Sequence, residues 1–142
     1  MAIVVVSDAS PIRALDHLGL LTLCRDLYGS VVVPEAVQQE LRQATTTCRA
    51  LEITDYAWFE VRKPLSSPHD LGVPTDLDAG EIDAIGLALE LNADLVLIDE
   101  RKATDVARNL GLTTIGVLGV LLEAKRGSLV DYVMPCVDRL IA

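Results

Sequence analysis

The chain of 142 residues is 51% hydrophobic, which suits one domain with a buried core and excludes a disordered chain. It has no apolar stretch near the roughly 18 residues of a membrane span and no basic–apolar leader, so we expect neither membrane association nor a targeting segment. Its net charge of −9 excludes nucleic-acid binding by phosphate neutralisation alone and favours cations or basic protein surfaces as partners.

The cysteines indicate the redox state of the compartment in which the protein is found. Cys24, Cys48 and Cys136 are widely spaced, odd in number and without a nearby histidine. This pattern favours free thiols in a reducing compartment over disulfides or a zinc site. We therefore expect residues 1–142 to form a single domain in the cytoplasm.

In the first half of the chain, short apolar runs alternate with helical patterns. The run Ile3–Val6 predicts a strand, and Ser10 with Pro11 predicts the N-cap and first turn of a helix that ends at Gly19. The other predicted elements of this half are a helix Leu20–Tyr28, a strand Val31–Val33, a helix from Pro34 with Val37 and Leu41 facing the core, and a candidate short strand in "WFEVR".

The second half continues the alternation after a loop at Leu65–Pro74. Its predicted elements are a helix Ala79–Leu91, a strand Leu95–Ile98, a helix Lys102–Leu110, a short strand in "TTIGV", a helix Leu118–Arg126 and a helix Leu129–Ile141 that Pro135 should kink or restart. Strands alternating with helices predict an α/β fold, with a central parallel sheet of about four to five strands covered on both faces.

Two predicted strands end on acids. Asp8 follows the first strand closely, and Asp99 directly follows the strand that ends at Ile98. In open α/β sheets, ligands bind beyond the carboxyl ends of the strands. Asp8 and Asp99 are therefore predicted at the edge of the sheet where this class of fold binds its ligands.

Other acids are positioned to join this pair. Glu81 lies in the first turn of the helix before the Asp99 strand, and Glu40 lies on the helix after Pro34; Glu100 and Asp105 are further candidates. Converging carboxylates repel one another unless a cation lies among them, and Mg²⁺ or Mn²⁺ prefer such oxygen ligands. The pattern thus predicts a divalent-metal site.

Structural roles are the alternative explanation for the same acids, and for Asp8 that role is turn chemistry before Ser10. Glu81 with Asp78 fits a helix capping box, and Glu40 fits a solvated helix position. Asp99 and Glu100 fit caps of the next helix. The sequence contains neither GxGxxG nor GxxxxGK[ST], and the glycines of "GVLGV" indicate close packing at a strand–helix junction. Arg101 and Lys102 lie next to the predicted acids, where a cation could contact a phosphate.

Five segments in order carry a resemblance that covers nearly the whole chain: "SDASP", "VVVPEAVQQEL", "LDAGEIDAIGLALE", "LVLIDERKA" and "GLTTIGVLGVLLEAKRGSL". The chain resembles the PIN domain family and, more closely, its VapC-like subgroup, often described only as nucleic-acid-binding. The resemblance implies a three-layer α/β/α nuclease that binds Mg²⁺ or Mn²⁺ and cleaves RNA.

Matching residue by residue, the resemblance implies site roles. The four family acids fall on Asp8, Glu40, Glu81 and Asp99, and Ser10 falls on a supporting hydroxyl position; a further, variable acid is Glu100 or Asp105. Asp8, Glu81 and Asp99 would hold the metal, with Glu40 binding directly or through water. One departure is that Thr104 and Asp105 stand where the subgroup often has arginine.

The expected function is a metal-dependent endoribonuclease, the toxin of a toxin–antitoxin pair, whose partners are RNA and an antitoxin that presents basic side chains. A catalytically silent binding module of the same fold is the alternative. A receiver-like domain fits less well, because "TTIGV" ends without the late lysine of such domains. Eight apolar residues of the last two helices, together with the resemblance, predict a homodimer: Leu121, Leu122, Val130, Val133, Met134, Val137, Leu140 and Ile141.

Overall fold

The central sheet consists of five parallel strands in a computed structural model that describes residues 3–141. The strands are β1 (Val5–Ser7), β2 (Val31–Pro34), β3 (Phe59–Arg62), β4 (Leu95–Leu97) and β5 (Thr114–Ile115). Their order is β3-β2-β1-β4-β5, so β1 is central and both of its neighbours run parallel to it. The predicted parallel sheet, including the strand in "WFEVR", is confirmed.

Seven α-helices of the described chain cover both faces of the sheet. They are α1 (Ala9–His17), α2 (Leu23–Tyr28), α3 (Glu35–Leu41), α4 (Ala79–Leu91), α5 (Arg101–Asn109), α6 (Val117–Arg126) and α7 (Met134–Ile141). Short 3₁₀ turns follow α3 and β3 at Ile53–Asp55 and His69–Leu71. Within residues 3–141, no helix combines the length and apolarity needed to cross a bilayer.

Alternation along the strands creates the two outer layers. Val5 and Leu97 pack into one core with buried residues of α1, α2 and α6. Val6 and Val96 point the other way, into a second core with α4 and α5. Since successive side chains of a strand face opposite sides, the apolar strands β1, β2 and β4 contribute to both cores. The three-layer α/β/α architecture predicted from the sequence is therefore confirmed.

The predicted start of the first helix was wrong. Asp8, not Ser10, occupies the N-cap position of α1. Asp8 is still extended (φ −78°, ψ 172°), and its N–H donates to the carbonyl of Leu97 at 2.9 Å. The hydrogen-bonding pattern of the sheet thus continues to Asp8, and the chain turns into the helix immediately afterwards.

The predicted bounds of other elements also need correction. The helix after Gly19 begins at Leu23 rather than Leu20, because Gly19 turns the chain with φ +71° and a turn of non-helical residues follows. The last helix begins at Met134 rather than Leu129. Pro135 is its second residue, where a missing N–H leaves no intrahelical bond unmade, so the proline restarts the helix rather than kinking it.

Apolar side chains are exposed along the C-terminal part of the chain. Of the residues on which the homodimer was predicted, Leu121 and Val133 are buried in the core, whereas Leu122, Met134 and Ile141 are exposed. Other exposed apolar side chains extend the same region. We call these exposed residues the α6–α7 surface: Leu118, Leu122, Leu129, Tyr132, Met134 and Ile141.

Candidate active site

The order of the strands brings two acids to one crevice. Ser7 of β1 pairs with Leu97 of β4, so the chain leaves both strands at the same level. Asp8 follows one strand, and Asp99 follows the other after Ile98, whose N–H donates to the carbonyl of Ile115 at 3.0 Å. In the order β3-β2-β1-β4-β5, the connection after β1 leads to β2 on one side, whereas the connection after β4 leads to β5 on the other side. That divergence opens a crevice at the carboxyl edge of the sheet.

Asp8 is the most deeply buried of the acids, with 4% of its surface exposed. Burial raises the pKa of its carboxyl to about 7, and the charges of Glu40, Asp78 and Asp99 act in the same direction. The N–H of Ala9 opposes the rise by bonding to the carboxylate. Asp8 therefore lies within the influence of three other carboxylates from separate parts of the chain.

Asp99 is held against the start of α6. Its Oδ1 accepts the N–H of Val117 at 2.8 Å, while burial raises the pKa of the carboxyl. A Cβ on Gly116 would overlap Oδ1, so only glycine leaves room for the carboxylate here. Asp99 thus caps α6 and not α5, the helix that directly follows it. Gly119 of the same "GVLGV" motif packs closely against Ile115, as the motif predicted.

Glu40 reaches from α3 to the start of α4. A Cβ on Gly80 would overlap Glu40 Oε1, which shows how closely the carboxylate approaches the backbone of α4. Burial raises the pKa of Glu40 and the charge of Asp78 adds to the rise; Arg13 and the N–H of Gly80 oppose it. Glu40 is therefore turned towards the other acids and not into solvent.

Glu81 uses its two oxygens differently. Its Oε1 accepts the N–H of Asp78 at 3.2 Å, and Asp78 Oδ1 accepts the N–H of Glu81 at 3.0 Å, which completes the predicted capping box. Its Oε2 is buried and has no hydrogen-bond partner among the described residues. Burial, together with the interaction with Asp78, raises the pKa of Glu81 to about 7. The capping role thus leaves one oxygen free for another ligand.

Asp78 is the acid that the sequence reasoning missed as a site residue. It was considered only as a cap, yet its charge raises the pKa values of Asp8, Glu40 and Glu81. The capping box itself was the available signal, because it places a second carboxylate next to Glu81. We call the five converging residues the acidic cluster: Asp8, Glu40, Asp78, Glu81 and Asp99.

The remaining candidates have different surroundings. Glu100 accepts the N–H groups of Lys102 at 3.1 Å and Ala103 at 2.8 Å, one on each oxygen, and these bonds lower its pKa. Asp105 is exposed on α5. Ser10 is exposed and makes no side-chain hydrogen bond within residues 3–141. Glu100 also lies within hydrogen-bonding reach of the Glu81 carboxyl, so the structure places it at the margin of the acidic cluster, whereas Ser10 and Asp105 lie outside the cluster.

The two predicted cationic contacts lie at the start of α5. Arg101 is exposed, and Lys102 Nζ forms an ion pair with Asp76 Oδ2 at 2.7 Å. The charges of Glu100 and Glu81 also help to raise the pKa of Lys102, after the larger effect of Asp76. Lys102 is thus held at the margin of the acidic cluster.

The acidic cluster has the donor chemistry of a divalent-cation site. Its oxygens are the ligands that Mg²⁺ and Mn²⁺ prefer, Glu81 Oε2 lacks a partner among the described residues, and Gly80 and Gly116 leave room for two of the carboxylates. No three Asp, Glu, His or Cys side chains of residues 3–141 are arranged as a ready-made set of metal ligands.

A comparison with known families gives one match. The model of DUF3368, described as a PIN domain, matches residues 4–142. All five residues of the acidic cluster lie within the matched range. No curated protein sequence matches the chain.

Replacing Gly80 should disturb metal binding without unfolding the protein. In Gly80→Ala, the new Cβ should push the Glu40 carboxylate away from α4, while alanine favours the helix by about 0.5–1 kcal/mol. We expect the rise in melting temperature with millimolar Mn²⁺ to shrink relative to wild type. Gly127→Ala is the control, because its Cβ would make ordinary contacts at 3.6 and 3.9 Å. Equal Mn²⁺-induced rises in both variants would contradict the role of Gly80.

Stability should fall as the pH rises from about 4 to about 7. The folded state retains a proton on Asp8 up to about pH 7, whereas the unfolded chain releases it near pH 4. Hence Asp8 opposes folding increasingly between these values. In Asp8→Asn, the decline in the free energy of unfolding between pH 4.5 and 8 should be smaller by on the order of 1–3 kcal/mol. Urea denaturation across this range measures it, and identical pH profiles would contradict the assignment.

Proposed function

The chain belongs to the PIN domain family, and from this premise we propose that it is a metal-dependent endoribonuclease that hydrolyses RNA phosphodiester bonds. PIN domains are generally nucleases that act on nucleic acid and typically use divalent metals. The observation that carries the proposal is the convergence of five carboxylates from four segments at the crevice between β1 and β4. Because the family match spans residues 4–142, we also propose that the chain is one domain.

In this proposal, Asp8, Glu81 and Asp99 hold Mg²⁺ or Mn²⁺. Glu81 would use Oε2, and Asp99 would use the oxygen that is not bonded to the N–H of Val117. Glu40 would bind directly or through water. This assignment is supported because Asp8 and Glu81 are buried, all four carboxyls have raised pKa values, and the charges of neighbouring acids help to raise the pKa values of Asp8, Glu40 and Glu81, a repulsion that a cation would relieve.

The residues of the chain prepare the site before the substrate arrives. A divalent cation held by these residues would lower the pKa of a bound water and neutralise charge on the phosphate. The N–H groups of Asp78 and Val117 fix the orientation of Glu81 and Asp99, so these carboxylates need little reorganisation. Lys102, held by Asp76 at the edge of the acidic cluster, and Arg101 are placed to contact substrate phosphates.

We further propose a VapC-like role as the toxin of a toxin–antitoxin pair. The chain carries a net charge of −9, which suits an antitoxin that presents basic side chains. A basic side chain of the antitoxin that entered the acidic cluster would replace the cation electrostatically. Inhibition would then follow from competition for the same carboxylates.

We also propose that the protein forms a homodimer through the α6–α7 surface. This surface gathers exposed leucine, tyrosine, methionine and isoleucine side chains on the last two helices and the segment between them. Apolar groups concentrated in this way usually mark an interface, and two-fold dimers are the commonest oligomers.

RNA cleavage is the direct test of the proposed activity. Purified protein should cleave mixed structured RNAs in the presence of Mn²⁺ or Mg²⁺ but not in EDTA, and Asp8→Ala should be inactive. Gel electrophoresis of labelled RNA measures both. RNA that is bound without any metal-dependent product would favour the alternative, a catalytically silent binding module of the same fold.

Glu81→Gln separates the two roles of Glu81 within the same assay. The glutamine oxygen can still accept the N–H of Asp78, but an NH₂ group replaces the free Oε2. Cleavage should fall on the order of 100-fold or more, because even residues that only support metal ligands contribute about 10- to 100-fold. Stability should stay within about 1 kcal/mol of wild type. Retained activity would leave Glu81 with the capping role alone.

Sedimentation tests the dimer. The wild type should sediment as twice the 15.3 kDa chain at micromolar concentration, and Leu122→Glu should shift it towards the monomer. Leu65→Glu is the matched control, because Leu65 is 91% exposed but lies outside the α6–α7 surface. A wild type that sediments as a 15.3 kDa species at every concentration would contradict the dimer.

A further inference from the structure

A cavity of about 490 Å³ lies beside the acidic cluster, between α1, residues 47–48 and α7. Ser10, Arg13, Ala14 and His17 line it from α1, and Leu140 lines it from α7. Ser10 belongs to the first turn of α1, two residues after Asp8. The α1 wall of the cavity thus starts in the first turn after Asp8, and the volume of the cavity is within the range of about 300–1,000 Å³ that small ligands occupy. We call it the α1–α7 cavity.

Within the part of the chain that the structure describes, no aspartate or glutamate lines this cavity, although the full sequence has 21 acidic residues. Arg13 and His17 contribute basic groups, and Arg139 lies close by, donating to the carbonyls of His17 at 3.3 Å and Leu18 at 3.2 Å. Asp16, the neighbouring acid on α1, is engaged by Arg49 at 2.8 Å. The local charge is thus opposite in sign to that of the protein as a whole.

Arg13 is held in place and cannot swing freely into solvent. Its Nη2 donates to the carbonyl of Glu40 at 2.5 Å and to that of Gln43 at 2.8 Å, and its Nη1 is buried without a partner among the described residues. The guanidinium therefore supplies a fixed positive charge at the wall of the α1–α7 cavity. The same bonds join this wall to α3, the helix that carries Glu40 into the acidic cluster.

A second cavity provides an internal comparison. It has about 440 Å³ and lies between α3, the segment after β3 and α4. Glu35 and Asp83 line it, against a single cation, Lys63. A polyanion that approaches the acidic cluster is therefore repelled on this side and attracted on the side of the α1–α7 cavity.

We propose that the α1–α7 cavity binds a nucleotide of the RNA strand adjacent to the scissile phosphate. Arg13 attracts its phosphate, while Ala14, Leu140 and the imidazole of His17 offer a surface for its base. This inference rests on the proposed ribonuclease function and adds where the strand lies. It also explains how an acidic protein retains an anionic substrate: the strand leaves the acidic cluster along its basic side.

Ala14→Trp tests the proposal by filling the cavity, and Ala36→Trp is the matched control. Both alanines are half-buried helix residues, and Ala36 lines the second, acidic cavity. With labelled single-stranded RNA and Mn²⁺, Ala14→Trp should raise KM about tenfold, the scale of losing one well-bound nucleotide, with kcat little changed. Ala36→Trp should match the wild type. On bis(p-nitrophenyl) phosphate, which has no nucleotide, all three proteins should react equally.

Ala14→Glu and Ala36→Glu form a second pair that changes charge with less bulk, in case the tryptophan variant does not fold. Ala14→Glu should weaken RNA binding, measured by fluorescence anisotropy, more than Ala36→Glu. Equal KM and equal RNA affinity within each pair would overturn the proposal and leave the cavity to another occupant, such as a protein partner. Loss of bis(p-nitrophenyl) phosphate hydrolysis in Ala14→Trp would also overturn it, because the effect would then be structural.

The experiments distinguish failure of the proposed ribonuclease function from failure of the cavity proposal. A wild type that hydrolyses neither RNA nor bis(p-nitrophenyl) phosphate with any divalent metal would defeat the function. The anisotropy comparison of Ala14→Glu with Ala36→Glu would still decide whether the α1–α7 cavity binds RNA.

Discussion

The structure depends on one electrostatic constraint: the burial of a carboxylate, Asp8, at the end of the central strand, close to other carboxylates. Such a group is costly in a low-dielectric interior, and its neighbours add repulsion. The fold offsets this cost with backbone donors. The starts of α1, α4 and α6 lie at the same edge of the sheet and direct N–H groups at Asp8, Glu40 and Asp99. The carboxyl edge of the parallel sheet thus concentrates negative side chains and the positive ends of helices in one place.

Much of this arrangement could be predicted from the sequence, because it depends on local patterns. Asp8 and Asp99 end apolar runs, and the parallel sheet then requires them to lie at one edge. Asp78 and Glu81 have the spacing of a capping box. Glu40 was harder to predict, since its helix position also fits a solvated side chain, and its inward direction was inferred from its place between the core residues Val37 and Leu41 and the polar side of Gln39. Whether these residues bind metal remains a prediction.

The features that could not be predicted depend on contacts between distant segments. In the sequence, Gly80 looks like an ordinary helix residue and Gly116 indicates only close packing at a strand–helix junction, but their missing side chains leave room for the carboxylates of Glu40 and Asp99. The α1–α7 cavity joins Ser10 to Leu140, which are far apart in the chain. The start of the first helix was predicted wrongly for a related reason. Asp8 stays extended because β4 pairs with it, and the capping preference of Ser10 carries no information about that pairing.

The two oxygens of Glu81 have different surroundings, and this difference connects local unfolding of α4 with the charge state of the acidic cluster. One oxygen closes the first turn of α4, and the other is unpartnered among the described residues. A cation or proton that pulled the Glu81 carboxylate away from the N–H of Asp78 would break the capping box. The first turn of α4 would then fray. Because Gly80 in that turn contacts Glu40, fraying would loosen a second carboxylate at the same moment. Exchange of the backbone amides at the start of α4 with solvent is thus thermodynamically coupled to the charge of the site.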